Sequence, residues 1–220
     1  MRPSRGKSNK QQREEIAYAA ARLVADGEAQ DFAGAKLKAV ESLGLVNSRN
    51  MPDNLQVQSA LISYLQFYEG QILIERLATM RQAALTAMQF FKLFEPRLVG
   101  PVLYGSAVEH SAVTLHLYTD ELESVTRFLY DENIEYQLTG TTLKVNSRES
   151  LDFPTYIVLN NGFEFELVVF PWSFYAHPPL SGLDARRYKR ADADAVQQLI
   201  DESLSSIDAN LATSSIRDGQ

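Results

Sequence analysis

The sequence predicts an α+β protein, with a helical N-terminal region followed by a mixed β-sheet with flanking helices. Three observations carry this. Apolar residues recur at helical spacing through about the first 95 residues. After Pro96 the chain turns to short β-prone runs. Two of those runs are joined by Asn160-Asn161-Gly162, a strong hairpin signal.

The elements follow in order. Gln11 to Asp26 predicts a helix, with Ile16, Ala19, Ala20, Leu23 and Val24 on one face and Asp26-Gly27 as its stop. Asp31 caps a second helix carrying Phe32, Ala35, Ala39, Val40 and Leu43, which ends at Gly44. Pro52-Asp53-Asn54 opens a third, with Leu61, Ile62, Leu65 and Tyr68 as its apolar positions. Gly70 separates it from a long fourth helix, whose apolar positions run from Ile72 to Phe91 and which Pro96 closes. Leu98 to Tyr104 reads as a buried strand, and Val113 to Tyr118 alternates as a second. Asp120 and Glu123 form a capping-box-like helix start. Ile134 to Leu138 and Thr142 to Val145 read as two short strands around Thr139-Gly140-Thr141. Tyr156 to Leu159 and Phe163 to Phe170 form the hairpin, Pro171, Pro178 and Pro179 mark a loop, and a last helix is expected from about Ala191 to Ile207.

Composition excludes several classes of function. The chain has 220 residues and 45% hydrophobic content, enough for a substantial core. There is no cysteine, which rules out disulfides, thiolate zinc sites and a cysteine nucleophile, and fits a reducing compartment. No apolar run approaches the ~20 residues of a membrane span. The N-terminus MRPSRGKSNKQQR is basic without an apolar segment, so it is not a secretory signal, and the expected location is cytoplasmic, with no membrane partner. The net charge is −7. Residues 1–13 hold five basic residues and no acids, so the rest carries 16 basic against 28 acidic residues, a balance that repels phosphate backbones. The three histidines lack the close spacing of a zinc motif. There is no Walker A loop, GxGxxG or GxSxG.

The segment VLYGSAVEHSAVTLHLYTD, residues 102–120, carries the functional signal. A glycine after a strand lets a phosphate approach the backbone, and the serine hydroxyl can hydrogen-bond it. The order of long helix, strand, Gly105-Ser106 and an alternating strand resembles the nucleotidyltransferase superfamily, which includes kanamycin-type aminoglycoside adenylyltransferases and small antitoxin-like transferases. The resemblance covers about Glu75 to Phe170. It extends to a group of proteobacterial proteins that share the layout, including RLVGPVL and ELVVFP. It implies a nucleotidyltransferase-like sheet in a domain over 71–208, after a basic flexible tail (1–13) and a helical region (14–70) and before a flexible tail (209–220).

In that family a strand bearing Asp-x-Asp follows the Gly-Ser spacer. Here Thr114 and His116 stand at the two aspartate positions, and the resemblance places Glu166 at the third carboxylate, with Glu164 two residues before it. Thr114, His116 and Tyr118 share one strand face and are expected to line the pocket. Magnesium needs hard oxygen ligands, so losing two carboxylates costs several orders of magnitude in rate. The expected function is that of a degenerate, pseudoenzyme-like bacterial protein. It would bind a nucleotide or another phosphorylated small molecule at Gly105, Ser106 and Thr114 without efficient transfer. The enzymatic alternative is a transferase that uses Glu166, Glu164 and His116 or Asp120 with a nucleoside triphosphate and Mg or Mn. A solvated strand face explains the two glutamates equally well.

Two further features widen the set of partners. The segment from Ser181 to Arg190 brings four basic residues to an acidic body and is placed to fold over the pocket and meet an anion, while Trp172 and Phe174 offer packing or stacking surface. The helices over 11–68 have helix–turn–helix flavour, which gives a third reading as a DNA-associated regulator. Past its cap, however, the second helix shows only Lys36, Lys38 and Glu41 as charged residues. A packing module or a homodimer surface is the favoured reading of those helices over nucleic-acid binding.

Overall fold

A computed structural model describes residues 8–45 and 50–217, with side chains to residue 205. The parts of the expected tails at 1–7 and 218–220 lie outside these residues. The chain divides into two compact units, Met1–Gly70 with Gly182–Asp184, and Gln71–Ser181 with Ala185–Gln220.

The first unit is helical. Helix α1 spans Asn9–Ala25 and begins earlier than its apolar pattern suggests, because Ser8 and Gln11 form a reciprocal capping box. Residues 9–13 are therefore helix rather than tail. Helix α2, Phe32–Ser42, is capped by Asp31, whose carboxylate accepts from Gly34 N at 2.6 Å. Helix α3, Asn54–Tyr68, starts with a second capping box, formed by Asp53 and Gln56. The core between them consists of Ile16, Ala17, Ala20, Ala35, Ala39 and Val57. The alanines face one another, which lets the helices approach closely. Lys36 donates to Asn54 Oδ1 at 2.7 Å and Lys38 to the Glu28 carbonyl at 2.5 Å, so both lysines of α2 are engaged within the unit.

The second unit is a five-stranded mixed sheet with helices. Helix α4 spans Gln71–Phe90, and a 3₁₀ turn follows at Lys92–Phe94. Strand β1 covers only Arg97–Val99, and helix α5 replaces the rest of the predicted strand over Gly100–Tyr104. The reason is Pro101. It sits in the first helical turn, where its missing N–H costs nothing and its fixed φ favours the helix. Strand β2 is Val113–Tyr118 and helix α6 is Glu123–Asp131. Asp120 does not cap α6. Its Oδ1 accepts from Trp172 N at 3.2 Å, and the N-cap position of the helix is Leu122, which offers no side-chain cap. Strand β3, Gln137–Lys144, is one strand rather than two, because all eight residues pair in unbroken register with strand β4, Ser150–Asn160. Strand β5 is Phe163–Phe170, the short helix α7 is Ser173–Ala176, and helix α8 runs over Ala193–Arg217, well past the predicted end.

The sheet order is β1-β2-β5-β4-β3. Strand β2 pairs antiparallel with β1 and parallel with β5, while β4 pairs antiparallel with both β5 and β3. Paired residues share a face. Leu115, Leu117, Leu167 and Val169 are fully buried on the face that meets the helix layer. Tyr156 on the same face bonds Thr126 of α6 through its hydroxyl at 2.7 Å. Each such aliphatic side chain contributes ~2 kcal/mol by leaving water. The opposite face carries Thr114, His116, Tyr118, Glu166, Val168 and Phe170. No helix among the described residues is long and apolar enough to cross a membrane.

Candidate functional site

Thr114 and Glu166 stand side by side on the parallel strands β2 and β5. The Thr114 hydroxyl donates to Glu166 Oε2 at 3.0 Å. Gly100, the first residue of α5 just after β1, has φ 75°, and a Cβ built there would lie 3.7 Å from Thr114 Oγ1. Glu164 lies further along the strand, exposed, beside Leu159.

His116 lies on the same face but does not line an open pocket. It is 1% exposed, with its ring 4.6 Å from that of Phe170 and 5.0 Å from that of Tyr188. Its Nδ1 is buried without a hydrogen-bond partner. Desolvation, helped by the positive charge of Arg190, pushes its pKa down to about 3. The imidazole is therefore neutral at physiological pH and sealed from substrate. Tyr118 is buried beside it, and burial raises its pKa against the opposing pull of Arg190.

The cover over these residues comes from the chain after β5. Arg190 donates to the Tyr118 hydroxyl at 2.6 Å and to the Tyr175 carbonyl at 2.8 Å. Its guanidinium carbon lies 5.7 Å from the Tyr175 ring centre, and that of Arg97 lies 5.1 Å from it. Arg97 also donates to the Tyr175 hydroxyl. Trp172 packs against Tyr175 at 5.2 Å. Ala191 pairs with Leu98 through two backbone bonds, which closes the cover onto β1. Of the four predicted basic residues, Arg190 is a clamp and Arg187 is tied to the carbonyls of His177 and Pro178, while Arg186 and Lys189 are exposed.

The Gly105-Ser106 turn ends α5 rather than a strand. Gly105 is the left-handed C-cap, with φ 79°, and Ser106 N bonds the Pro101 carbonyl at 3.0 Å. The side chains nearest Gly105 are Leu77 and Arg81 of α4, each 3.9 Å from a Cβ placed there, and Ser106 is buried. Arg76 of α4 holds the Ala107 carbonyl at 3.3 Å. The structure thus brings Thr114 and Glu166 together and seats Gly105 and Ser106 against α4. The glycine beside the Thr114–Glu166 pair is Gly100. Its signal in the sequence is the Gly100-Pro101 step, where a strand stops and a helix starts.

Tyr188 completes the niche. Burial raises its pKa, and the neighbouring Tyr104 and Glu166 push in the same direction. The niche offers one carboxylate, one hydroxyl, phenol edges and a glycine backbone. That donor set does not suit a magnesium pair, which needs several carboxylates. Among the described residues, no group of three or more His, Asp or Glu side chains is arranged to hold a metal ion. Comparison with known protein families, curated proteins and solved structures finds no match to this chain.

Proposed function

We propose that the α/β unit is a nucleotidyltransferase-type domain that binds a nucleotide or another phosphorylated small molecule without efficient transfer. The observation that carries this reading is the 3.0 Å Thr114–Glu166 bond on neighbouring parallel strands, with Gly100 beside it. Transfer of a nucleotidyl group depends on carboxylate-held metal ions that neutralise charge on the phosphate. A threonine and a neutral buried histidine at two of those positions leave binding without that catalysis. Glu166 and Thr114 can hydrogen-bond sugar hydroxyls, while the exposed Lys189 follows Tyr188 directly and is suited to phosphate.

The test is calorimetry with each common nucleoside triphosphate, with and without magnesium, alongside transfer of a labelled triphosphate. The expected result is saturable binding that Glu166→Ala weakens about 10- to 100-fold, as the loss of a charged hydrogen-bond acceptor predicts, with transfer at background. Absence of both heat and thermal shift would defeat the reading. Transfer that disappears in Glu166→Ala would replace it with an enzyme.

A further inference from the structure

The second unit also contains a large groove away from the Thr114–Glu166 niche, on the helix side of the sheet. Its volume is about 610 Å³, and Ala83, Ala87, Phe90, Phe165, Ile200 and Leu204 are among its walls. It exists because α4 presents alanines where larger side chains would fill the space above β4 and β5. Phe165 and Ile200 are buried at its base, whereas Leu204 of α8 is 49% exposed at its side.

Two properties define the ligand. First, among the described residues no charged side chain lines the groove. Its polar groups are hydroxyls and amides: Thr79, Gln82 and Thr86 along α4, and Asn160 and Asn161 at the hairpin end. In a chain of net charge −7 this is a neutral, apolar trough that would leave a phosphate or carboxylate uncompensated. Second, the groove is the size of one small molecule. From Ala78 to Ala87 the helix rises roughly 13 Å, the length of a chain of about ten carbons.

We propose that this groove binds an uncharged, elongated apolar small molecule, with the molecule's polar end at Asn160 and Asn161. The proposal does not depend on nucleotide binding, because the two sites share no residue among those described.

The full chain is titrated with Nile red, and the dye is then displaced by 1-alkanols of increasing length. The expected result is one dye per chain and alkanol affinity that rises about fourfold per methylene up to about ten carbons, then levels off. Decanoate should bind at least tenfold more weakly than 1-decanol. Ala83→Leu and Ala87→Phe, which fill the trough, should each weaken the dye at least tenfold while the circular dichroism spectrum stays unchanged. The proposal is overturned if no saturable binding occurs, if folded Ala83→Leu and Ala87→Phe proteins bind as the original does, or if decanoate competes as well as 1-decanol. It is also overturned if light scattering shows a dimer that Ala87→Phe converts to monomer, since the groove is then covered by a second copy.

Discussion

A proton placed on His116 would sit between the rings of Phe170 and Tyr188, near the Arg190 guanidinium, with no acceptor offered to Nδ1. The folded protein therefore holds this imidazole neutral down to a pKa of about 3, against its ordinary value of 6.5. Below pH 6.5 the unfolded chain takes up a proton that the folded chain refuses. The sign follows: this residue's contribution to stability is constant above pH 6.5 and falls as pH drops from there towards 3. The slope is about 1.4 kcal/mol per pH unit. Chemical denaturation between pH 7 and 4 should show this loss, and His116→Phe should flatten the profile by about that slope. A profile unchanged by the substitution would place the acid sensitivity elsewhere. The sequence placed His116 on the right face of β2, but not beneath a cover. The cover is built by Tyr188 and Arg190, more than 70 residues later, and alternation along one strand cannot reveal it.

At the scale of elements, two glycines with similar sequence surroundings behave differently. Asn161 and Gly162 form the two-residue turn between β4 and β5, with φ 50° and 82°. Both are left-handed, as a type I′ hairpin requires. A Cβ on Gly162 would meet no atom within 4 Å, so Gly162→Ala should cost only its backbone strain, about 1 kcal/mol. Gly140 was also expected in a turn, yet it lies inside β3 and pairs with Pro154. A Cβ there would reach only the Phe153 carbonyl, at 4.0 Å. Gly140→Ala should therefore be neutral or stabilise by up to about 1 kcal/mol, because it restricts the unfolded chain. Urea midpoints for the two variants should move in opposite directions, or only that of Gly162→Ala should move. Helix starts were legible where Asp31 or Asp53 caps the backbone that follows it, whereas the cap at Ser8 went unread and α1 begins two residues before the expected Gln11. The reading failed where a cap-like carboxylate, Asp120, is taken by the distant Trp172 N–H.

At the scale of the whole molecule, Arg81 joins elements that are far apart in sequence. It is 7% exposed and donates to the carbonyls of Val102 and Leu199 and to the Ser203 hydroxyl, linking α4 to α5 and α8. Burial lowers its pKa, and Glu202 opposes that shift. Arg81→Met keeps much of the volume but leaves those acceptors without their donor. It should destabilise the protein by about 3 kcal/mol and lower the melting temperature by several degrees, as read by calorimetry. A loss below about 1 kcal/mol would show that water satisfies the acceptors.

The α+β class, the helices of the first unit and the β4–β5 turn were written in the chain itself, because each rests on local periodicity, capping or φ preference. Tertiary structure alone decided that Gly100 rather than Gly105 adjoins the Thr114–Glu166 pair, that His116 is sealed, and that alanines on α4 leave a groove over β4 and β5. Those outcomes depend on which surfaces meet after the strands pair, and contacts between residues distant in sequence leave no periodic trace along it.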